Sequence, residues 1–255
     1  MIVFISGASS GFGKAIAERF AAQGASLILC GRRETRLKQL AASLKVPSLC
    51  IALDVRDRKA VEAAIQTLPA DFASMDVLVN NAGLALGLEP AQRASLDQWE
   101  QMVDTNVKGL MTLTHCVLPG MVARNRGHII NIGSTAGEWP YPGSNVYGAS
   151  KAFVRQFSLN LRADLYQTAV RVTDVEPGLA GGTEFSNVRF SGDDRRAETV
   201  YENAEALSAE DIADTVYWVA MRPAHVNVNT LSITPVCQGF GPVAVHREQK
   251  TNAKS

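Results

Sequence analysis

Short apolar runs alternate with amphipathic stretches along the whole chain. Residues 2–5 (Ile-Val-Phe-Ile) read as a buried strand. In residues 11–23, Phe12, Ile16 and Phe20 fall at helical spacing, and Gly24 closes the stretch as a helix C-cap does. The alternation continues with strands at 26–30, 48–53 and 76–80 and helices at 34–44, stopped before Pro47, and 57–68, ending at Pro69. Ser95-Leu-Asp-Gln98 is a capping box that starts a helix near Leu96. A strand at 127–133, a long helix at 145–166 and a strand at 170–175, bounded by Pro177-Gly178, follow. The cap Ser208-Ala-Glu-Asp211 opens a helix that stops before Pro223, and 227–233 is the last strand. Strands that alternate with helices predict βαβ units. The expected fold is α/β: a doubly wound parallel seven-stranded sheet with helices on both faces.

No linker, repeat or composition break interrupts this pattern, so residues 1–247 are expected to form a single domain, with a polar tail at 248–255. The exception is 181–206, which is polar, glycine-containing and weakly periodic. Charge and composition then narrow the class. Lys plus Arg is 25 and Asp plus Glu is 25, a net charge of zero, which argues against a nucleic-acid partner. At 46% hydrophobic and 20% charged the chain is not of the disordered type. No apolar run approaches the ~18 residues of a membrane span. Four cysteines without a CxxC pair point to buried thiols in a reducing compartment. The first residues lack the basic stretch of a signal peptide, so a soluble cytoplasmic protein is expected. His115, His128, His225 and His246 are too far apart to show metal-ligand spacing.

Three features carry chemistry. Gly7-Ala-Ser-Ser-Gly11-Phe-Gly13 sits between the first strand and the first helix. Glycines there let the backbone turn tightly and approach a pyrophosphate, and the helix N-terminus offers its N–H groups to the anion. The second feature is Arg32-Arg33 at the end of the second strand. A dinucleotide site that recognises a free ribose 2′-hydroxyl places an acid there, whereas a guanidinium grips a 2′-phosphate. Asp54 ends the third strand and suits either the adenine amine or a turn cap. Asn80-Asn81-Ala82-Gly83 ends the fourth strand, small enough to pass under a cofactor or to make a plain turn. The third feature is Ser134 with Tyr147 and Lys151. The last two, at i and i+4, share a helix face. An ammonium beside a phenol favours the phenolate, so the pair can act as a general acid/base, while Ser134 can hold a substrate oxygen.

Taken in order, Ser6 to Gly13, Asn80 to Gly83, Asn106, Ser134, Tyr147-Gly-Ala-Ser-Lys151 and Pro177-Gly178 resemble the short-chain dehydrogenase/reductase family over nearly the whole chain, to about residue 246. Ser6 stands where the family more often has Thr. The resemblance implies a Rossmann-type fold and makes Asn106, Ser134, Tyr147 and Lys151 the catalytic set, Asn106 holding a water in a proton relay. It implies NADP held by Gly7, Ser9, Ser10, Gly11, Phe12, Gly13, Arg32, Arg33, Asp54, Asn81, Ala82, Gly83, Tyr147, Lys151, Pro177, Gly178 and Thr183. Asn131 to Gly137, Val154 to Arg162 and Glu176-Pro-Gly178 are similar to the bacterial NADP-dependent 3-hydroxy acid dehydrogenases, a group that includes the semialdehyde and sulfoacetaldehyde reductases.

That likeness implies a short substrate with a reacting oxygen at one end and an anion at the other: sulfoacetaldehyde or malonate semialdehyde reduced with NADPH, or serine and allo-threonine oxidised. Substrate contacts are expected from Ser134 and Tyr147, and from Arg189 or Arg195 in 181–206, which in the family forms a lid. Asp193, Asp194, Glu198 and Glu202 interleave with these arginines, so a solvated mixed-charge face stays open. Trp139 and Tyr141 would wall the substrate pocket or pack their loop, and Trp99 and Trp218 are expected in the core. Phe153 and Phe157 would face the core or a subunit interface of a homotetramer. A reading of another class is an NADP-binding regulator without activity, for which the Ser134–Tyr147–Lys151 set would have no use.

Overall fold

The computed structural model describes residues 1–239; the rest of the expected domain, 240–247, and the tail at 248–255 lie outside them. The elements run β1 (Ile2–Ser6), α1 (Gly11–Ala21), β2 (Ser26–Gly31), α2 (Glu34–Ser43), β3 (Ser48–Ala52), α3 (Arg58–Gln66), a short α4 (Ala70–Ala73) and β4 (Val77–Asn80). They continue with α5 (Leu96–Val103), α6 (Leu110–Ala123), β5 (Gly127–Ile132), α7 (Asn145–Asp164), β6 (Val170–Pro177), α8 (Phe185–Arg189), α9 (Asp194–Thr199), α10 (Ala209–Ala220) and β7 (Thr230–Ile233). The strands form one sheet in the order β3-β2-β1-β4-β5-β6-β7, every neighbouring pair parallel. The chain reverses its direction of winding between β1 and β4, which opens a crevice beyond the carboxyl ends of the strands.

Alternation along the strands builds two cores. Val3 and Ile5 of β1, Leu27 and Leu29 of β2 and Val77 and Val79 of β4 pack on α1, α2 and α10. Phe4, Ile28 and Leu78, the intervening residues, pack on α3, α6 and α7. The side-chain period of two fixes which residues face which layer. The Phe20 and Tyr217 rings meet edge to face at 5.3 Å between α1 and α10.

The structure differs from the sequence reading in places. α5 and α6 are joined by a π-helical turn, Asp104–Gly109, and α6 carries Pro119 inside it; the extra residue and the proline blur the helical period. Trp218 is not core: it is 46% exposed, because α10 turns Ile212, Val216 and Val219 inward and leaves Trp218 under the Arg222 guanidinium, 4.4 Å from its ring centre. All four cysteines are free; Cys30 is buried, Cys50 and Cys116 half-buried and Cys237 exposed. The segment 181–206 holds two short helices, α8 and α9, and its base is pinched by a bridge: Gly181 N–H donates to Leu207 O at 2.8 Å, and Leu207 N–H donates to Leu179 O at 3.0 Å.

Candidate active site

The crevice is a cleft of about 1150 Å³ above the carboxyl ends of β1, β4, β5 and β6, roofed by α8. Its floor starts at the turn between β1 and α1. Gly7 and Gly11 take positive φ, 68° and 53°, which a Cβ would strain. A Cβ at Gly13 would collide with the Gly7 carbonyl, so α1 can start tight against the turn only with glycine there. Ser10 makes no side-chain cap to the first turn of α1, leaving that helix end open to an anion. Ser6 locks the turn to the end of β4: its hydroxyl donates to Val79 O and accepts from the Asn81 and Ala82 N–H groups at 3.0 and 2.9 Å. Asn81 donates back to Ser6 O at 2.9 Å. A pyrophosphate fits this cradle of glycines and free helix N–H groups.

At the β2 end, Arg33 donates to the Ser9 and Ser10 hydroxyls at 3.0 and 2.6 Å and pairs with Glu184 at 2.7 Å. Arg36, one helical turn further, pairs with the same carboxylate at 2.6 Å. The two guanidiniums, Arg36 first, hold Glu184 down to about 2. Arg32 is exposed and lines the cleft beside Asp54. Asp54 also lines it and caps its own turn, accepting from Arg56 N–H at 3.0 Å; the Arg56 side chain holds it ionised. Thr183 lies over Gly11 and accepts from Phe185 N–H at 3.2 Å.

The Ser134–Tyr147–Lys151 set is assembled where β5 meets α7. Ser134 caps the 3₁₀ turn Thr135–Gly137, accepting from Ala136 N–H at 3.1 Å, and its own proton is held only loosely, toward Pro177 O at 3.5 Å. Tyr147 is buried against the edge of Phe185. Burial pushes its hydroxyl up to about 12, and the neighbouring Ser134 hydroxyl and Arg189 charge pull the other way. Lys151 donates to Ile132 O at 2.7 Å; burial lowers it to about 8 and the Asp174 charge opposes that. A Cβ at Gly83 would come within 3.3 Å of Asn106 Oδ1, while making only ordinary contact with Lys151 Nζ at 3.6 Å.

Asn106 lies beneath the cleft, in the π-turn. Its side chain pairs with both backbone groups of Leu84, accepting at 2.9 Å and donating at 2.8 Å, and donates to the Ser150 hydroxyl at 3.0 Å. Ser150 in turn donates to Tyr147 O at 2.7 Å. Pro177 and Gly178 border the cleft at the end of β6.

All the cofactor residues named from the sequence line the cleft except Gly13, which lies behind the turn. The two lid arginines separate. Arg189, on α8, enters the cleft: its guanidinium sits 5.6 Å from the ring centres of both Tyr147 and Tyr141 and donates to the Tyr141 hydroxyl at 3.0 Å and Gly87 O at 3.2 Å. Both partners are neutral. Arg195 is a correction: it is exposed on α9 and does not line the cleft, because α9 turns Ala197 inward and leaves Arg195 in solvent. Trp139 and Tyr141 both line the cleft. Sequence reading missed Glu184, Arg36 and Phe185. The spacing of Arg33 and Arg36 on one helix face was a usable signal; nothing in the sequence tied Glu184 to them across 148 residues.

A family profile described as short chain dehydrogenase matches residues 1–193. The chain is 62% identical over 247 residues, 97% of its length and 100% of the relative's, to "NADP-dependent 3-hydroxy acid dehydrogenase YdfG" from Salmonella typhi. It is 53% identical over 250 residues to "Sulfoacetaldehyde reductase 2" from Chromohalobacter salexigens, covering 97% and 99% of the two chains. Among solved structures, "The Closed form of serine dehydrogenase complexed with NADP+" superposes with a TM-score of 0.96 at 60% identity, over 97% of this chain and 100% of the other.

Proposed function

The chain belongs to the short-chain dehydrogenase family, and on that basis we propose that it reduces a short anionic aldehyde to its hydroxy acid with NADPH. It is an NADP-dependent dehydrogenase/reductase. The observation that carries the substrate reading is Arg189: a guanidinium that among the described residues bonds only neutral groups, 5.6 Å from the ring centre of the proposed proton donor. In this reading a short substrate places its carbonyl at the Tyr147 hydroxyl and its carboxylate or sulfonate on Arg189.

The glycine cradle and the open end of α1 would hold the pyrophosphate, and Arg33 with Arg32 the 2′-phosphate. Bound there, the cofactor supplies the hydride. Ser134, whose proton is free to turn, donates to the carbonyl oxygen and holds it as charge develops. Tyr147 gives its proton to that oxygen. Lys151 favours the phenolate that results and so eases the transfer. The Asn106 side chain is taken up by Leu84 and Ser150 and so ties the π-turn to the Tyr147 backbone through Ser150. The assay of Tyr147→Phe tests the assignment. Loss of a general acid should slow turnover at least ~100-fold, its usual share, and near wild-type turnover refutes the role.

A second reading, oxidation of a 3-hydroxy acid such as serine, runs the same chemistry backwards and is favoured by the names of the similar proteins. Comparing kcat/KM for sulfoacetaldehyde and malonate semialdehyde with NADPH, against serine with NADP⁺, separates the two. We also read the chain as a cytoplasmic homotetramer. The half-buried Phe153 and Phe157, stacked at 5.4 Å on α7, support an interface on that helix, and light scattering of the purified protein tests it. Among the described residues no helix is long and apolar enough to cross a membrane.

A further inference from the structure

Beneath Lys151 lies a group of charges that the proposed mechanism does not use. β6 turns Asp174 and Glu176 to the same face, toward α7, where Lys151 and Arg155 stand one turn apart. Both acids are sealed from water, at 0% and 1% exposure. Among the described residues, none of their four carboxyl oxygens receives a hydrogen bond from a protein donor. Buried oxygens without donors are costly. Yet the fold is cut to admit them: a Cβ at Gly133 would collide with the Asp174 carboxyl.

The surrounding charges are few. Arg155 is shared, 2.9 Å from Glu138 and 3.6 Å from Glu176. Lys151 faces Asp174 but spends a proton on Ile132 O. Asn131 of β5 and Thr230 and Ser232 of β7 are level with the pair and uncharged, and α10 packs on the opposite face against Val175. With both acids ionised, three negative charges (Glu138, Asp174, Glu176) would face two positive ones. One proton balances the group. The two carboxyls stand two residues apart on one face of β6, and ionised carboxylates only accept, so a bond between them needs that proton.

We propose that Asp174 and Glu176 share a single proton at neutral pH and act as positioning residues for Lys151, setting the pH at which Lys151 loses its charge and hence the alkaline limit of proton donation by Tyr147. Burial, and then Glu176, pushes Asp174 up to about 8, so the shared proton sits toward Asp174 and the negative charge toward Glu176 and Arg155. Two carboxyls at one site behave in this way, one of them strongly raised. The effect on catalysis rests on the roles given above to Tyr147 and Lys151.

The single substitutions have opposite signs. In Glu176→Gln, Asp174 loses the negative neighbour that adds to the effect of burial, ionises at lower pH beside Lys151 and holds the ammonium to higher pH. The alkaline limb of kcat/KM for sulfoacetaldehyde reduction should move up by about one pH unit. In Asp174→Asn, Lys151 loses the anion that Asp174 becomes as it ionises near pH 8, and the limb should move down by about one unit. No shift in either variant, or shifts in the same direction, would overturn the proposal. Infrared spectra of the cofactor-free protein, with isotope-labelled carboxyls, give a second readout that needs no turnover. A protonated carboxyl band is expected at neutral pH in the wild type and should titrate away at lower pH in Glu176→Gln. Its absence from the wild type refutes proton sharing even if Asp174→Asn fails to fold. If Tyr147→Phe keeps full turnover, the role given to Tyr147 falls, while the infrared band still decides whether the proton is shared.

Discussion

Arg189 has two roles at one point in the cleft: in the proposed function it holds the substrate anion, and its charge favours ionisation of Tyr147. Arg195, six residues on, does neither. Arg189→Ala should therefore raise KM for sulfoacetaldehyde by about tenfold, the equivalent of ~1.4 kcal/mol, with KM for a neutral aldehyde such as propanal within about twofold. Arg195→Ala should leave both KM values unchanged, and steady-state kinetics on the two substrates checks the pair. The sequence placed both arginines in the same segment with the same acidic neighbours, and periodicity over so short a stretch does not say which one turns inward. The Ser134–Tyr147–Lys151 set was legible because its logic is local: one strand end, and two positions a helical turn apart. Glu184 was not, because its partners Arg33 and Arg36 come from an element more than 140 residues earlier.

At the level of the elements, the hydrophobic period located the strands and the flanking helices, since a buried strand and a half-buried helix print different periods. It failed where the backbone departs from a regular helix, at the π-turn between α5 and α6 and at Pro119. It also failed on α8 and α9, whose few residues are too short to show a period. Caps were the most readable signals: Ser208 and Asp211 form the reciprocal box at the start of α10. Ser208→Ala should lower stability by about 1 kcal/mol, read by urea unfolding. The end of β2 makes a different prediction. Arg33 links the glycine turn to the start of α2, and in the proposed function it grips the 2′-phosphate. In Arg33→Ala, kcat/KM with NADPH should fall at least ~10-fold while that with NADH stays within about twofold. Equal losses with both cofactors would show that the turn, not the phosphate, depends on Arg33.

For the molecule as a whole, buried titrating groups of opposite sign shape stability against pH. His128 sits between β5 and β6, its Nε2 at 2.8 Å from the Thr173 hydroxyl, and burial lowers it to about 3 from 6.5. Unfolded His128 takes up a proton below about 6.5 and folded His128 does not. Stability from this residue is thus full above 6.5 and is lost as pH falls toward 3, by about 1.4 kcal/mol per pH unit. Asp174 works the other way: folded, it keeps its proton to about 8, so its contribution is lost as pH rises from 3.8. Between about 4 and 6.5 the two slopes oppose each other, and above 6.5 Asp174 acts alone. Urea unfolding across that range should give a flat region and then a decline toward pH 8. In Asp174→Asn the flat region should become a rise with pH and the decline should vanish.

The bridge between residues 180 and 207 fixes the two ends of the lid next to each other, whatever lies between them. A stretch tied off at its base costs the sheet little when its contents change, because loop closure is already secured. Segment 181–206 is in effect an exchangeable cassette, carrying Arg189 and none of the strands. Rewriting this insert would change what stands over the cleft while the sheet beneath it stays the same.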